Sequence, residues 1–548
     1  MMNLFLPVIF ATGALAGPVQ LPGLTVPANA VANKQAVVDI FTESYQAYRK
    51  FAFGHDQLNP LSRTPTDPRN GWGATIVDGM GTMDFLEEAL DFTSKINFNS
   101  SNTPDTVNFF ETTIRYLGGM LSAYELTGQQ HQFLVDQARQ LGNRLSLVWD
   151  QGNTIPFNQV FFQNNTLVNE LIGIATGGTG AVCSKHTGND TYRRLAEGGV
   201  RQIAALPKPL PGLPAQVLNV TTNQPADGYV TWGGGSDSYF EYLIKYARLT
   251  NTDDQIFADN WLTAVDSSIK VLLHTSTVGN HVYLADFDDN RLIRHIGSHL
   301  ACFYGGNWIL GGKLANNDTI FNIGLQLTDA CWNTYASDAT GIGPEAFAFV
   351  SKDGNFTGGS PPTQEQLGFY NQHGFYITNS GYFERPEVLE SNFYAWRATG
   401  DTKYFDRAAS AVTSFNRFLK TNSGFASIGD VNSVQNTRID DMESFWFAEV
   451  LKCRPNPVRT NVEPICSYLT FDDPSHISLD EWVFNTEAHP FPAPPAKPVY
   501  GSGVQTESEQ PFTGQPGPTP AVSPIVTQGP VATVTATATM NITMAAMA

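Results

Sequence analysis

Basic residues are few: 32 Lys and Arg stand against 51 Asp and Glu in 548 residues, for a formal net charge of -19 and a pI near 4.9. A chain so acidic repels phosphate backbones and anionic lipid, which excludes nucleic acid as a partner. Cysteine is scarcer, five residues with no CxxC pair, so neither a disulfide scaffold nor a cysteine zinc or redox motif is expected. One or two bridges and an odd thiol are the plain expectation. Beyond the first residues no apolar run is long enough to span a bilayer, and no integral membrane segment is expected. There is no GxSxG, no phosphate-binding P-loop and no complete GxGxxG. His295 and His299 are four apart, but Ile296 stands where a zinc protease needs its Glu, so serine and zinc hydrolysis are not indicated.

What is abundant is apolar and flat: 42% of residues are hydrophobic and 12% aromatic, side chains that fill cores or stack on sugar rings. Residues 1–16 form a short apolar run ending Ala14-Leu15-Ala16, which reads as a signal peptide despite lacking an early Lys or Arg. Sequons at Asn99, Asn164, Asn189, Asn219, Asn317, Asn355 and Asn541 agree with a secreted glycoprotein. Residues 17–36 form a lead-in. From Val37 to about residue 495 apolar residues fall at helical spacing, with Gly, Asn or Pro at the breaks. A helix end followed by Thr-Gly or Thr-Asn recurs roughly every 60 residues, at Thr127, Thr187 and Thr250, and returns at Thr399. This is the period of stacked αα hairpins, with Gly or Asn in the left-handed cap, and it predicts an all-α toroid. From about Ala496 to the end the composition turns to Pro, Thr, Ala and Gly, predicting a disordered tail over 496–548.

Acids recur inside apolar surroundings. Glu111 and Arg115 share a helix face, which alone is more simply a helix salt bridge. Asp237 follows Trp232-Gly-Gly-Gly-Ser236, where it could equally cap a helix. In Arg385-Pro386-Glu387-Val-Leu-Glu390, both glutamates begin a helix just after Pro, where anions are stabilised. Met442-Glu443-Ser-Phe445 with Glu449, and Asn485-Thr486-Glu487-Ala-His489, repeat the theme. Buried carboxylates need a cation or hydrogen-bonding ligand, and a cluster of them would suit calcium together with sugar hydroxyls.

On these blocks, joined by Gly71-Trp-Gly-Ala-Thr-Ile-Val-Asp78, His299-Leu-Ala-Cys302-Phe and Gly341-Ile-Gly-Pro-Glu345, the chain resembles the class I α-mannosidases, glycoside hydrolase family 47, over about Tyr45 to Pro492. The resemblance implies an (α/α)7 barrel over residues 37–495 and calcium-dependent, inverting removal of terminal α-1,2-linked mannose from high-mannose N-glycans by a monomer. It implies that Thr486 binds Ca2+ directly, while Glu387, Glu390, Glu443, Glu449 and Glu487 hold its waters. It further implies Glu387 as general base and Glu111 as general acid, with Asp237 the other contender for the acid. Arg115, Arg385, Glu390 and Glu449 would bind substrate, His299 would contact glycan, Phe445 would pack on the mannose face, and Cys302 and Cys331 would form the bridge.

The chain departs from the family pattern at four places. After Thr179 the helix that usually carries an active-site Glu is about a turn short, and that Glu has no counterpart. Cys453 to Ile465 is inserted before Cys466, and Gly81 replaces an Asp. Gly235 replaces a bulkier residue two positions before Asp237, which predicts broader trimming of glycan branches. The missing carboxylate keeps open a second reading, a weakly active or inactive mannose-binding relative.

Overall fold

The computed structural model describes residues 18–503 apart from 83–84, 150–151, 169, 177, 436 and 453–469. The expected signal peptide, the insertion at Cys453 to Ile465 with Cys466, and the predicted tail beyond 503 therefore lie outside the described residues. Among those residues, no helix is long and apolar enough to cross a membrane.

Two kinds of helix alternate along the chain. One kind is apolar on a single stripe. In Gln132–Leu145 the buried residues are Leu134, Val135, Ala138, Leu141, Gly142 and Leu145, the i, i+4, i+7 pattern of a helix with one wet face. Ala30–Phe51, Leu86–Ser94, Thr191–Ala205, Ile256–Ser267, Asp318–Ser337 and Thr402–Phe418 are the other outer helices. The second kind is buried on nearly every side, as in Tyr304–Leu314 and Glu387–Thr399, where Val388 through Ala398 are all buried. With Ala74–Gly79, residues 109–126, Asp237–Thr250, Trp446–Val450 and the less buried Gly180–Thr187, these make, among the described residues, seven inner segments against seven outer helices, the expected (α/α)7 arrangement. The ring closes where Ala30–Phe51 packs on Thr402–Phe418, with the Trp446 indole donating to Ser44 Oγ at 3.1 Å.

Inner segments cross closely because small residues stand at the crossings. A Cβ on Gly119 would collide with the Val77 carbonyl oxygen, so the segment 109–126 approaches Ala74–Gly79 backbone to backbone. Cys302 and Cys331 form the expected disulfide, tying the start of an inner helix to its outer partner. Short antiparallel strands decorate the helix ends. Ile296–Ser298, Ala346–Ala348 and Tyr376–Asn379 form one sheet, and Trp482–Phe484 pairs with Pro490–Pro492 as a hairpin against two inner helices.

Ordered packing continues past the composition boundaries on both sides. The first helix begins at Ala30 rather than 37, and Val19 is buried, donating its N–H to Asp480 at 2.7 Å. The tail predicted from 496 is packed as far as 503. Tyr500 is buried with its hydroxyl donating to Asn251, and Ser502 donates to Asp259 at 2.8 Å. One aromatic ring with a polar edge anchors this strip despite its Pro-rich setting.

Candidate active site

Several inner segments deliver a carboxylate at their N-terminal ends to one cavity. Asn108 caps the Phe109–Thr112 turn by accepting from the Glu111 N–H at 3.0 Å, which starts that helix and places Glu111 in its first turn. Asp237 is the first residue of Asp237–Thr250, entered through Gly235 at φ +87°, and its Oδ1 accepts from Ser238 N–H at 2.7 Å. Pro386 precedes the Glu387–Thr399 helix, with Glu387 and Glu390 in the first turn. Unpaired helix N–H groups favour anions at each place. Two inner segments are wound as π turns, Thr113–Leu117 and Trp446–Val450, and these carry Arg115 and Glu449.

Glu111, Arg115, Asp237, Arg385, Glu387, Glu390, Phe445, Glu449, Thr486 and Glu487 all line this cavity. Arg115 is its central cation: it meets Glu111 at 2.7 Å, Asp78 at 3.6 Å and Glu487, and its guanidinium lies 5.3 Å from the Phe445 ring. Arg385 pairs with Glu345 at 2.6 Å. The Thr486-Glu487 tip is held by Asn485, whose side-chain oxygen accepts from the N–H groups of Glu487 and His489, and His489 in turn bonds Asp78 at 3.0 Å.

These neighbours separate the acids by protonation state. Burial opposes the charge on Glu111, but Arg115 and Arg69 outweigh it and hold the carboxyl below its ordinary range. Burial likewise opposes charge on Glu387, and here the hydrogen bond from His299, with Arg385 nearby, keeps the group ionised. Among the described residues no cation offsets burial at Asp237. Burial, then Glu241 and Glu387, push it up to about 7. Glu449 is driven well above the usual carboxylate range by burial and by Glu387 and Glu390, and Glu487 by burial with Asp78, Glu449 and Glu111.

Two predicted residues stand elsewhere. His299, expected to contact glycan, does not line the cavity and is fully buried. Its Nδ1 bonds Glu387 at 2.7 Å and its Nε2 the Tyr335 hydroxyl at 2.8 Å, so both ring nitrogens are used in fixing Glu387. Glu443 is also off the cavity lining. It accepts from Gln57 and gives its N–H to Glu384. Other residues escaped sequence reasoning: Lys245, buried between Glu241 and Glu390, Tyr242, which accepts from Thr486 N–H, and Asp78 behind Arg115. The Glu241 and Lys245 spacing of four was a visible signal; the Asp78 partnership joins positions too distant to be one.

The donor set fits a hard divalent cation. Among the described residues neither the hydroxyl nor the carbonyl of Thr486 has a protein hydrogen-bond partner, and the carboxyls sharing its cavity outnumber the cations. Burial first, and then the neighbouring carboxylates, drive Glu449 and Glu487 upwards, and a cation among them would relieve both. Oxygen donors of this kind suit calcium.

Where the resemblance places a further Glu, the inner segment brings no carboxylate of its own to the cavity, and Glu197 of the following outer helix lines it instead. Thr179, Gly180 and Cys183 line the cavity together with Ala196 and Val200 of the following outer helix. Gly235 also lines it.

The glycosyl hydrolase family 47 model matches residues 40–493. A mannosyl-oligosaccharide alpha-1,2-mannosidase of Coccidioides posadasii is 37% identical over 489 residues, covering 83% of this chain and 90% of the relative. Mannosyl-oligosaccharide alpha-1,2-mannosidase 1B of Emericella nidulans is 35% identical over 522 residues, covering 88% and 98%. Among solved structures, the alpha-1,2-mannosidase from Trichoderma reesei superposes with a TM-score of 0.78 at 34% identity, over 86% of this chain and all of that one. With that match over most of its length and carboxylates gathered at the inner-helix ends, the chain belongs to glycosyl hydrolase family 47.

Proposed function

We propose that this protein is a calcium-dependent, inverting exo-1,2-α-mannosidase that trims terminal α-1,2-linked mannose from high-mannose N-glycans, from Man9GlcNAc2 towards Man5GlcNAc2. The observation that carries the reading is the split protonation of Glu387 and Asp237 in one cavity that also contains Thr486. Glu387, kept ionised by His299 and Arg385, takes a proton from the attacking water. That water oxygen bonds to the anomeric carbon as the glycosidic C–O bond breaks on the opposite face, and a carboxylic acid protonates the departing oxygen. Asp237, pushed up to about 7, is suited to supply that proton. Glu111, the first choice by resemblance, is held ionised and is better suited to orient Arg115. When bound at Thr486, with Glu387, Glu390, Glu449 and Glu487 around it, calcium would hold two mannose hydroxyls and favour the distorted ring of the transition state. Phe445 offers an apolar face to the sugar, and Gly235 leaves space for several branch orientations.

The names of the relatives support this substrate class, and a secretory setting is supported by the disulfide and by the six sequons among the described residues, none of which is buried. The segment Thr179 to Cys183, which brings no carboxylate of its own to the cavity, favours the second reading, a mannose binder with weak or no turnover. Incubation with Man-α-1,2-Man, with and without a calcium chelator, separates the two. Mannose release that stops on chelation is expected; binding without release under either condition overturns the enzyme reading. Release of only one α-1,2-linked mannose from Man9GlcNAc2 at completion would refute broad trimming.

A further inference from the structure

Away from the cavity, three side chains remote in sequence converge. His274 lies on the Leu273–Thr275 strand, His295 between the Ile293–Arg294 and Ile296–Ser298 strands, and Asp353 in the turn linking Ser351 to Gly354. One ligating atom from each falls within 4.8 Å of the others. Nitrogen Nδ1 of His274 is 3.0 Å from Asp353 Oδ2, and Nε2 of His295 is 3.7 Å from Asp353 Oδ1.

The far side of each ring determines what faces Asp353. The second nitrogen of His274, Nε2, meets the Val271 carbonyl at 3.2 Å, and Nδ1 of His295 meets the Phe356 carbonyl at 3.3 Å. A carbonyl can only accept, so the ring atoms facing Val271 and Phe356 carry the N–H. In the neutral rings the lone pairs of His274 Nδ1, 3.2 Å from Asp353 Oδ1, and of His295 Nε2 then turn towards the carboxylate, and only an imidazolium at His274 would donate there instead. For His295 this is a buried nitrogen with no hydrogen-bond partner, on a side chain with no exposure. Two lone pairs aimed at an anion repel unless a cation stands among them. Backbone carbonyls behind the rings and the Ser351 hydroxyl on Asp353 are the outer partners that orient metal ligands.

We propose that His274 Nδ1, His295 Nε2 and an Asp353 carboxylate oxygen bind a zinc-class divalent cation. Two imidazoles with one carboxylate select such an ion over calcium. Zinc bonds near 2.0–2.1 Å require ligand atoms roughly 3.3 Å apart. The two distances to Asp353 Oδ1, 3.2 and 3.7 Å, straddle that value, and the two ring nitrogens, within 4.8 Å of each other, close up by side-chain rotation. Exposure rises from 0% at His295 through 14% at His274 to 32% at Asp353, which gives the ion an entrance and leaves its fourth position to water. The cation would staple three segments beside the sheet whose strands lead into His299 and out of Glu345, the residues that fix Glu387 and Arg385.

The test uses the full-length protein, stripped with a chelator and kept in saturating calcium. Titration with Co2+ is expected to give one equivalent of four-coordinate cobalt by its visible absorption, displaced by Zn2+ and unaffected by more Ca2+, with Zn2+ raising Tm. Asp353→Asn, folded by circular dichroism and unchanged in mannosidase activity with calcium, should weaken cobalt binding at least ten-fold. X-ray absorption on the zinc-loaded wild type should show a nitrogen and oxygen shell with two imidazoles, a readout that needs no variant. Absence of a cobalt band, binding undiminished in Asp353→Asn, or a shell without imidazole would overturn the site and leave a plain imidazolium and carboxylate pair.

Discussion

Glu111 and Asp237 share one cavity, and their neighbours drive them in opposite directions. Arg115 and Arg69 hold Glu111 ionised, whereas burial, with Glu241 and Glu387 nearby, outweighs the Ser238 N–H bond and pushes Asp237 up to about 7. Activity should therefore fall as pH rises through about 7, where Asp237 loses the proton it donates; a pH–rate profile whose basic limb survives in Asp237→Asn would refute its role. Asp237→Asn should lose about 10²–10⁴-fold on Man-α-1,2-Man yet recover on α-mannosyl fluoride, whose leaving group needs no proton. Glu387→Gln should lose turnover by a similar factor on both substrates while still binding mannose. With both ring nitrogens bonded to Glu387 and Tyr335, His299 is proposed to act through Glu387 rather than on the sugar. His299→Ala should lower kcat about 10- to 100-fold with KM little changed, partly restored by Gln, a pattern that general destabilisation would not produce. The motif blocks around His299 and Glu443 were legible in sequence, but their positions off the cavity wall were not, because burial depends on what packs behind them.

At the scale of elements, the distinction between striped outer helices and uniformly buried inner ones follows from each helix's own residues. Thr402–Phe418 buries Tyr404, Phe405, Ala408, Ala411, Val412 and Phe415, so its inward face can be read directly. The π turns at Thr113–Leu117 and Trp446–Val450 could not be read, since an extra residue in a turn leaves the apolar pattern intact when every face is buried. Close helix crossings make small residues essential. Gly119→Val must displace the Val77 backbone and should cost about 1–3 kcal/mol or more, measured by denaturant unfolding. Replacing both Cys302 and Cys331 by Ser opens a loop with a sequence separation of 29 and should cost on the order of 3 kcal/mol, seen as a lower Tm.

On the scale of the whole molecule, strips flanking the helices at both sides of the barrel domain pack onto the ring. Val19 and Gln20 bond the Pro474 to Asp480 region, and Tyr500 is buried beside Asn251. A chain ending at Ala496 should consequently melt below one ending at Gly503; equal Tm values would show that this strip contributes nothing. Sequence by itself determined the helical hairpin repeat, the acidic character that excludes nucleic acid, and which carboxylates begin helices, because periodicity, net charge and capping are local properties. Only the tertiary structure decided which of those acids is charged, that His299 serves Glu387, and that His274, His295 and Asp353 meet. Each of these depends on distances between residues far apart in the chain, and on the loss of water around them once the barrel closes.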